Sequence, residues 1–506
     1  MPSRVYSACT FGMEGKIIEI EADVAPGQPL FNIVGLPDTA IKESRDRVAS
    51  AIRNSGFKPP HFFGRATVNL APADLKKEGP AFDFPIALGI LLASGQIKEL
   101  PEKSIFLGEL SLDGRLRKIK GVLPITISLL DKGYENIFLP EENAFEANLV
   151  EKIKIFPLKN ISQFISFLNK KIFLSPLKKT PIDWENLQTE SSFDFCFIKG
   201  QEHAKRALEI AVAGGHNILL CGPPGSGKTL LARSVCSIMP PMTMEEAFET
   251  TKIYSIAGLT GADKHLITER PFRSPHHSAS AVSLVGGGTF PRPGEISLAN
   301  RGVLFLDEFP EFSREVIENL RQPLEDGQVS IARAQGSLTF PARFILIAAM
   351  NPCPCGNATD PEKHCVCSPS QIIRYKQKLS GPIMDRIDLH IEVPRLKFEK
   401  LSTNQLAEKS AEIRRRVTRV RQIQKIRFQK TGIYTNAEMT SHHLRTFAPI
   451  GQAEKDLLKR IISQMGLSPR GYHRLLKVAR TIADMEGKTQ IETKHLAEAV
   501  QYRFRE

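Results

Sequence analysis

The sequence predicts an α/β protein built around a nucleotide-binding sheet, with a second α/β domain before it and a helical domain after it. Three observations carry that expectation. The stretch NILLCGPPGSGKT, 217–229, sets an apolar strand and a glycine-rich turn before a helical run, LLARSV, in the order that a P-loop requires. Two further apolar runs end on polar tips: GVLFLDE, 302–308, closes on adjacent acids, and FILIAAM, 344–350, closes on Asn351. From about residue 395 onward the pattern is helical.

A chain of 506 residues exceeds what one core supports and suggests about two to four domains. With 42% hydrophobic and 24% charged residues, a packed interior is expected and wholesale disorder is excluded. No apolar run reaches the length of a membrane span, and the N-terminus MPSRVYSACTFGMEG lacks the apolar core of a signal peptide. A cytoplasmic protein is therefore expected. The net charge of +13 points toward a polyanionic partner such as nucleic acid.

Residues 1–170 alternate strand and helix patterns and read as one α/β domain. Gly15–Glu21 and Ala66–Leu70 are strand-like, Asp38–Asn54 is an amphipathic helix, Phe84–Leu92 a buried helix, and Asp113-Gly114 a hairpin turn. The segments NIVGLPDTAIKESRDRVASAIRNSG, NLAPADLKKEGPAFDFPIALGIL and GELSLDGRLRKIKGVLPI resemble the N-terminal domain of the magnesium-chelatase-like ATPases. That resemblance implies a Lon-protease-like fold, of the ribosomal S5 domain 2 type. A Lon-type peptidase needs a serine after Gly-Pro and a lysine as its base. Here the two positions hold Ala81 and Leu123, with Lys118 and Lys120 only nearby. Without a hydroxyl at residue 81 the dyad has no nucleophile, so a structural or substrate-gating role is expected instead.

Residues 171–192, rich in proline, lysine and serine and holding the single tryptophan, Trp184, read as a linker. The ATPase core is expected over 193–394, opening with a helix at Gly200–Ala213. In the P-loop, Gly222, Pro223, Pro224, Gly225, Ser226 and Gly227 turn the backbone so that its N–H groups surround phosphate oxygens at a helix N-terminus. Lys228 then reaches the β and γ phosphates of ATP, and Thr229 offers its hydroxyl to Mg²⁺. Asp307 holds the same Mg²⁺ through water, and Glu308 polarises the water that attacks the γ phosphate. Asn351, a polar amide at a strand tip, can orient that water.

Together GPPGSGKT, RSPHHSASAVSLVGGG, PRPGEISLANRGVLFLDEFPEF, NLRQPLEDGQVSIARA, AAMNPCPCG and LSGPIMDRIDLHIEV resemble the YifB/ComM family of magnesium-chelatase-like AAA+ ATPases. The resemblance covers nearly the whole chain. It implies a ring, read as a homo-hexamer, whose nucleotide sites are completed by neighbouring subunits. Asn351 then matches sensor 1, Arg386 in MDRID the arginine finger, and Arg470 in SPRGYHRLLKVARTIA the sensor 2 arginine, with Arg474 as the alternative. The hairpin EDGQVSIARAQGSLTFPARF, turning at Gln335-Gly336 and carrying Arg333, resembles a pore hairpin; Phe272–Gly294, with His276 and His277, resembles a second pore insert. In that loop the two histidines are expected to make local hydrogen bonds.

Cys353, Cys355, Cys365 and Cys367 form two close pairs that can supply four thiolates to a tetrahedral Zn²⁺; His364 is a substitute ligand. In a cytosolic chain such clustering favours metal over disulfides. The C-terminal lid, 395–506, includes a basic helix at Glu408–Gln429 with apolar Ile413, Val417, Val420, Ile423 and Ile426. Its basic face is either solvated or a nucleic-acid contact. The resemblance implies an ATP-driven motor on single-stranded or branched DNA, a helicase or branch-migration enzyme of recombination during natural transformation, with no membrane partner. Two other classes stay open: a chelatase-type motor subunit, and an ATP-dependent protein remodeller with an inactive Lon-like domain.

Overall fold

The N-terminal hairpin explains much of the first unit. In the computed structural model, which describes residues 2–503 except 37, 76, 78, 180–192, 262–264, 289–291, 334–335, 361 and 397–405, Ser3–Phe11 pairs antiparallel with Glu14–Ala25. Arg65–Ala71 follows antiparallel, and Leu30–Val34 closes the sheet in parallel. The first strand was not expected; its run of small residues Ser7, Ala8 and Cys9 blurs the alternation that marks a strand. Helix Thr39–Asn54 starts where Asp38 accepts from the Ile41 N–H at 2.7 Å. Asp83–Ala93, DFPIALGILLA, has no polar face and is buried along nearly its whole length.

A three-stranded parallel sheet, Ser104–Phe106, Asn136–Pro140 and Lys154–Leu158, completes this unit. Glu109–Leu110 pairs with Leu116–Arg117 around Asp113-Gly114, the hairpin the sequence predicted. Leu123 is fully buried and Ala81 packs beside the same apolar cluster. The start of the expected linker is docked rather than loose: Leu177 N–H donates to Ile155 O at 2.8 Å, and Asn148 donates to Lys178 O at 2.9 Å. Its remainder, with Trp184, lies outside the described residues.

The second unit is a five-stranded parallel sheet ordered Phe272–Arg273, Val303–Leu306, Ile345–Met350, Ile218–Cys221, Leu389–Glu392. Its three central strands, Val303–Leu306, Ile345–Met350 and Ile218–Cys221, are continuous apolar runs because both faces are covered. Register sets Leu306 beside Ala348 and Cys221 beside Met350, so the segments starting at Asp307, Asn351 and Gly222 leave one edge together. That edge, at the carboxyl ends of parallel strands, is where such sheets bind ligands.

Helices Ser410–Arg427, Gln452–Met465, Pro469–Met485 and Thr493–Gln501 follow. Ile413, Val417 and Val420 share one core with Leu231 of the P-loop helix and Ile218 of its strand. Ile426, counted with them in the sequence, is 73% exposed. Much of the basic helix is internally paired: Arg416 meets Glu209 and Glu408, Arg427 meets Asp484, and Arg421 donates to Val212 O.

The first two units are joined by polar contacts. Glu146, 2% exposed, accepts from Leu123 N–H at 3.0 Å, from the Ser255 hydroxyl, and from Thr260 Oγ1 at 3.4 Å. Lys118 Nζ donates to Thr260 O at 2.6 Å, so this lysine serves the interface. Met13, at the turn of the N-terminal hairpin, packs against the apolar cluster that includes Val329 and Ile331 of the hairpin Gln328–Arg333/Gly336–Pro341. The turn of the latter, residues 334–335, lies outside the described residues. No helix among the described residues is long and apolar enough to cross a membrane.

Candidate nucleotide and metal sites

The P-loop joins strand Ile218–Cys221 to helix Lys228–Ile238. Gly225 and Gly227 sit at φ +76° and +90°, and a Cβ at either would meet nothing within 4 Å. Left-handed residues of this kind turn successive N–H groups into a concave nest for an anion. Within it the buried Ser226 Oγ has no hydrogen-bond partner among the described residues. The loop therefore fits a polyphosphate: it offers donors around open space and leaves a buried hydroxyl unsatisfied.

Lys228, 8% exposed, is folded onto the loop, its ammonium donating to Gly222 O at 2.7 Å, Pro223 O at 3.0 Å and Asn351 Oδ1 at 3.4 Å. Burial pulls its pKa below the usual lysine value, and the Asp307 charge opposes that pull. Thr229 Oγ1 donates to Asp307 Oδ2 at 2.9 Å. The two side chains expected to share a magnesium ion are thus already adjacent, with the oxygen chemistry a hard divalent cation takes. Thr229, Lys228, Asp307 and Asn351 lie on the segments that follow three neighbouring strands, and the sheet brings them together.

Glu308 stands at φ +51°, an unusual conformation for a residue with a Cβ, costing on the order of 1 kcal/mol. Its carboxylate lies 3.2 Å from His277 Nδ1. The neighbouring His276 makes the local contact expected of it, Nδ1 to Ser278 Oγ at 2.8 Å; His277 does not. Nothing in the sequence announces the His277–Glu308 pairing, because it depends on how the insert folds. That insert contains a short helix, Ala281–Val285, anchored by the fully buried Leu284.

Arg386 and Arg470 lie elsewhere. Arg386 O accepts from Asn217 Nδ2 at 3.0 Å, and Asn217 precedes the strand whose far end is the P-loop. Four residues of strand separate the two ends by about 13 Å. The Arg386 guanidinium is held by Glu325 at 2.5 Å and donates to Pro382 O at 2.6 Å. Arg386, Arg470, Arg474 and Glu325 line a cleft of about 1200 Å³ whose walls include none of residues 222–229. Arg470 is exposed there, whereas Arg474 is half-buried, 3.6 Å from Asp388, which also meets His216 at 2.9 Å. Both predicted arginines thus open onto a cleft that none of residues 222–229 lines.

The four cysteine sulfurs lie within 4.8 Å of one another. Cys353, Cys355 and Cys365 are separated by 3.4 to 3.6 Å, and Cys355 N–H points to Cys367 Sγ at 3.4 Å. Metal–sulfur bonds of about 2.3 Å place tetrahedral sulfurs about 3.8 Å apart, close to this spacing. Backbone N–H groups of Asn357 and Val366 pull the Cys355 thiol down, while Cys365 and Cys367, although each accepts a backbone hydrogen bond, are pushed up by burial and by the neighbouring thiols. His364 is exposed and stands outside the cluster. The loop also reaches the nucleotide site: a Cβ on Gly356 would lie 2.5 Å from Pro224 Cδ.

Three family profiles match consecutive parts of the chain: "Subunit ChlI of Mg-chelatase" over residues 20–143, "Magnesium chelatase, subunit ChlI" over 194–401, and "Magnesium chelatase, subunit ChlI C-terminal" over 407–503. The chain is 45% identical over 508 residues to competence protein ComM of Haemophilus influenzae, covering 99% of this chain and 97% of that protein. It is 42% identical to the YifB proteins of Salmonella typhimurium and Escherichia coli, covering 99% of this chain and 96% and 97% of theirs.

Proposed function

The chain belongs to the magnesium-chelatase-like family of ComM and YifB, and from that membership we propose that it is a ring-forming AAA+ ATPase coupling ATP hydrolysis to DNA translocation, as a helicase or branch-migration enzyme of recombination during natural transformation. The observation that carries the ATPase reading is the shared edge on which Lys228, Thr229, Asp307 and Asn351 meet. The ring reading rests on Arg386, whose distance from its own P-loop suits a finger offered to the neighbouring subunit of a homo-hexamer. The DNA reading rests on similarity to a competence protein and on the net charge of +13.

In this reading the chain divides at 1–170, 171–192, 193–394 and 395–506, with a Lon-protease-like first domain and a helical lid last. Residues 222–227 cradle the phosphates, Lys228 contacts the β and γ oxygens, and Glu308, aided by Asn351, orients the attacking water. Thr229 and Asp307 hold Mg²⁺, which when bound neutralises the charge of the β and γ phosphates. Arg386 stabilises transition-state charge in the next subunit, and Arg470, the more exposed arginine of its pair, approaches the same phosphate. Cys353, Cys355, Cys365 and Cys367 hold a structural Zn²⁺. The location is cytoplasmic.

The test is the ATPase rate, particle mass and strand displacement of the purified chain with single-stranded and branched DNA, with Glu308→Gln as control. DNA-stimulated hydrolysis and displacement, both lost in Glu308→Gln, are expected. Hydrolysis that DNA neither stimulates nor converts into displacement would overturn the DNA reading. It would favour the chelatase-type motor subunit suggested by the ChlI profile matches.

A further inference from the structure

The first unit carries an aromatic side chain that its core does not use. Phe62, in the short turn Pro60–Phe63 before strand Arg65–Ala71, is 62% exposed. An exposed apolar ring is common and needs no explanation by itself; what sets this one apart is its setting. The Lys58 ammonium stands over the ring, 4.5 Å from its centroid, and the Phe63 ring meets it edge-on at 5.5 Å. The turn is also braced. Lys58 N–H donates to Gln96 Oε1 at 2.8 Å while Gln96 Nε2 donates to Lys58 O at 3.0 Å, and Phe62 N–H donates to Pro59 O at 3.0 Å. Pro59 and Pro60 are buried, so the ring projects from backbone that is held in place.

The surroundings are basic. Leu30 N–H donates to Gly64 O at 3.1 Å, and a Cβ on Gly64 would lie 2.6 Å from Gly27 N. The chain leaving the turn therefore lies directly on the loop that joins strands Glu14–Ala25 and Leu30–Val34. Residues 24–36 and 53–73, which contain both loops, hold Arg53, Lys58 and Arg65 and no aspartate or glutamate. These three and His61 are exposed, and none of them is ion-paired among the described residues. A rigid aromatic face among unpaired cations matches what single-stranded nucleic acid requires: a surface on which a base stacks, and positive charge for the phosphates beside it. A duplex, whose bases are stacked on one another, offers no such free face.

We propose that Phe62 is a stacking platform for one base of a single nucleic-acid strand, with Lys58, Arg65 and Arg53 taking the neighbouring phosphates, so that the first unit contacts the strand itself. The inference goes beyond the motor reading above and rests on it only for the choice of DNA. Binding is non-covalent and tolerant of sequence, since every base has a face to stack.

The experiment follows the anisotropy of a labelled deoxythymidine oligonucleotide titrated with the full chain, with ATP and magnesium, in the Glu308→Gln background so that hydrolysis does not move the strand. Adding Phe62→Ala weakens binding about 5- to 100-fold, the range for one lost base stack. Phe62→Trp, which keeps a stacking face, binds within about twofold of the reference or more tightly. The loss in Phe62→Ala disappears on an abasic strand of the same length, which keeps the phosphates and offers no face, and on a blunt duplex. Lys58→Ala and Arg65→Ala each reduce the dependence of log K on log salt by about 0.7, on the normal and the abasic strand alike. A Phe62→Ala affinity within about twofold of the reference overturns the proposal and leaves the patch to an acidic protein. So does an equal loss on the normal and abasic strands, which would mean that the substitution acts through the fold. If the reference chain binds no strand, the proposal and the DNA reading fail together. If Phe62→Ala shows the stacking loss but the strand does not stimulate hydrolysis by the chain with Glu308 intact, the motor reading fails and the platform stands.

Discussion

Replacing Gly356 with alanine tests whether the cysteine loop braces the nucleotide site. The residue sits at φ +82°, and a Cβ there would lie 2.5 Å from Pro224 Cδ and 2.7 Å from Pro224 Cγ. Carbon atoms settle at about 3.5 to 4.0 Å, so one partner must retreat by about 1 Å. Pro224 cannot swing aside, because its ring is closed on the backbone of the P-loop, and Gly356 is tied back to Cys353 O at 2.9 Å. Left-handed backbone costs alanine a further 1 to 2 kcal/mol, roughly. Displacement of catalytic groups by about 1 Å can cost on the order of 100-fold in rate. Gly356→Ala is therefore expected to lower kcat by about 10- to 100-fold and raise KM for ATP, with the metal content and secondary structure of wild type. Steady-state hydrolysis and binding of a fluorescent ATP analogue measure both parameters. Pro224→Ala removes the atoms that clash, so the double variant should recover much of the loss, a non-additivity that identifies direct contact. If Gly356→Ala keeps kcat and KM within about twofold of wild type with its metal bound, the loop does not brace the P-loop.

Three other outcomes are expected. Arg386→Ala and Glu308→Gln should each be nearly inactive alone, with losses of about 1,000-fold or more for the arginine. Mixed in equal amounts they should regain activity at about one site in four of randomly assembled rings, because Glu308 of one chain then meets Arg386 of the next. Co-assembly without recovery would show that Arg386 does not act between subunits. Metal analysis of the purified chain should return about one zinc per chain, falling sharply in Cys355→Ser and Cys367→Ser but not in His364→Ala; well under one zinc in wild type refutes the site. Finally, burial holds the His390 imidazole at about 3 against an ordinary 6.5. Because the folded value is depressed, this stabilising contribution is complete above pH 6.5 and fades as pH falls toward 3. It should cost wild type about 2 kcal/mol between pH 6.5 and 5. Denaturant melts at pH 7 and pH 5 should show a smaller acid loss in His390→Phe, and equal losses would refute the assignment.

What the sequence made legible were features written in contiguous residues. The P-loop, the paired acids of 307–308, Asn351 and the two cysteine pairs each carry their chemistry within a dozen or so residues, and the apolar runs before the first three marked the strands that end there. The pairings that tune these groups were not legible, since each joins positions far apart in the chain. His277 and Glu308 are neighbours because strand Phe272–Arg273 lies beside Val303–Leu306. Arg386 and Glu325 meet at 2.5 Å across 61 positions of chain. The same holds for boundaries: the start of the stretch read as a linker is held on the first unit by Ile155 O and the Asn148 amide, contacts between distant positions. Periodicity misled once, at Ile426, where the helix outruns the surface it packs on.

Glu146 adds a reason why the first unit is more than an appendage. It is a nearly sealed carboxylate whose described donors are hydroxyls and one amide, Leu123 N–H from its own unit and Ser255 and Thr260 from the other. A buried charge satisfied in this way is costly to expose on one side only, so the units are held in one orientation. Ser255 lies in the last turn of helix Met244–Ala257, and on that helix Glu246 pairs with Arg270 at 2.9 Å, two residues before the strand that leads into the insert carrying His277. Arg270 in turn donates to Arg301 O at 2.8 Å, two residues before strand Val303–Leu306, which Asp307 and Glu308 follow. The first unit is thus tied, through one helix and one guanidinium, to the bases of both strands that carry the His277–Glu308 pair. Its hairpin turn at Met13 packs against the apolar cluster that includes Val329 and Ile331 of the other hairpin. The first unit, with Ala81 where a hydroxyl would be needed for peptidase chemistry, thus has a mechanical reason to be fused: it braces the bases of the insert and of the hairpin.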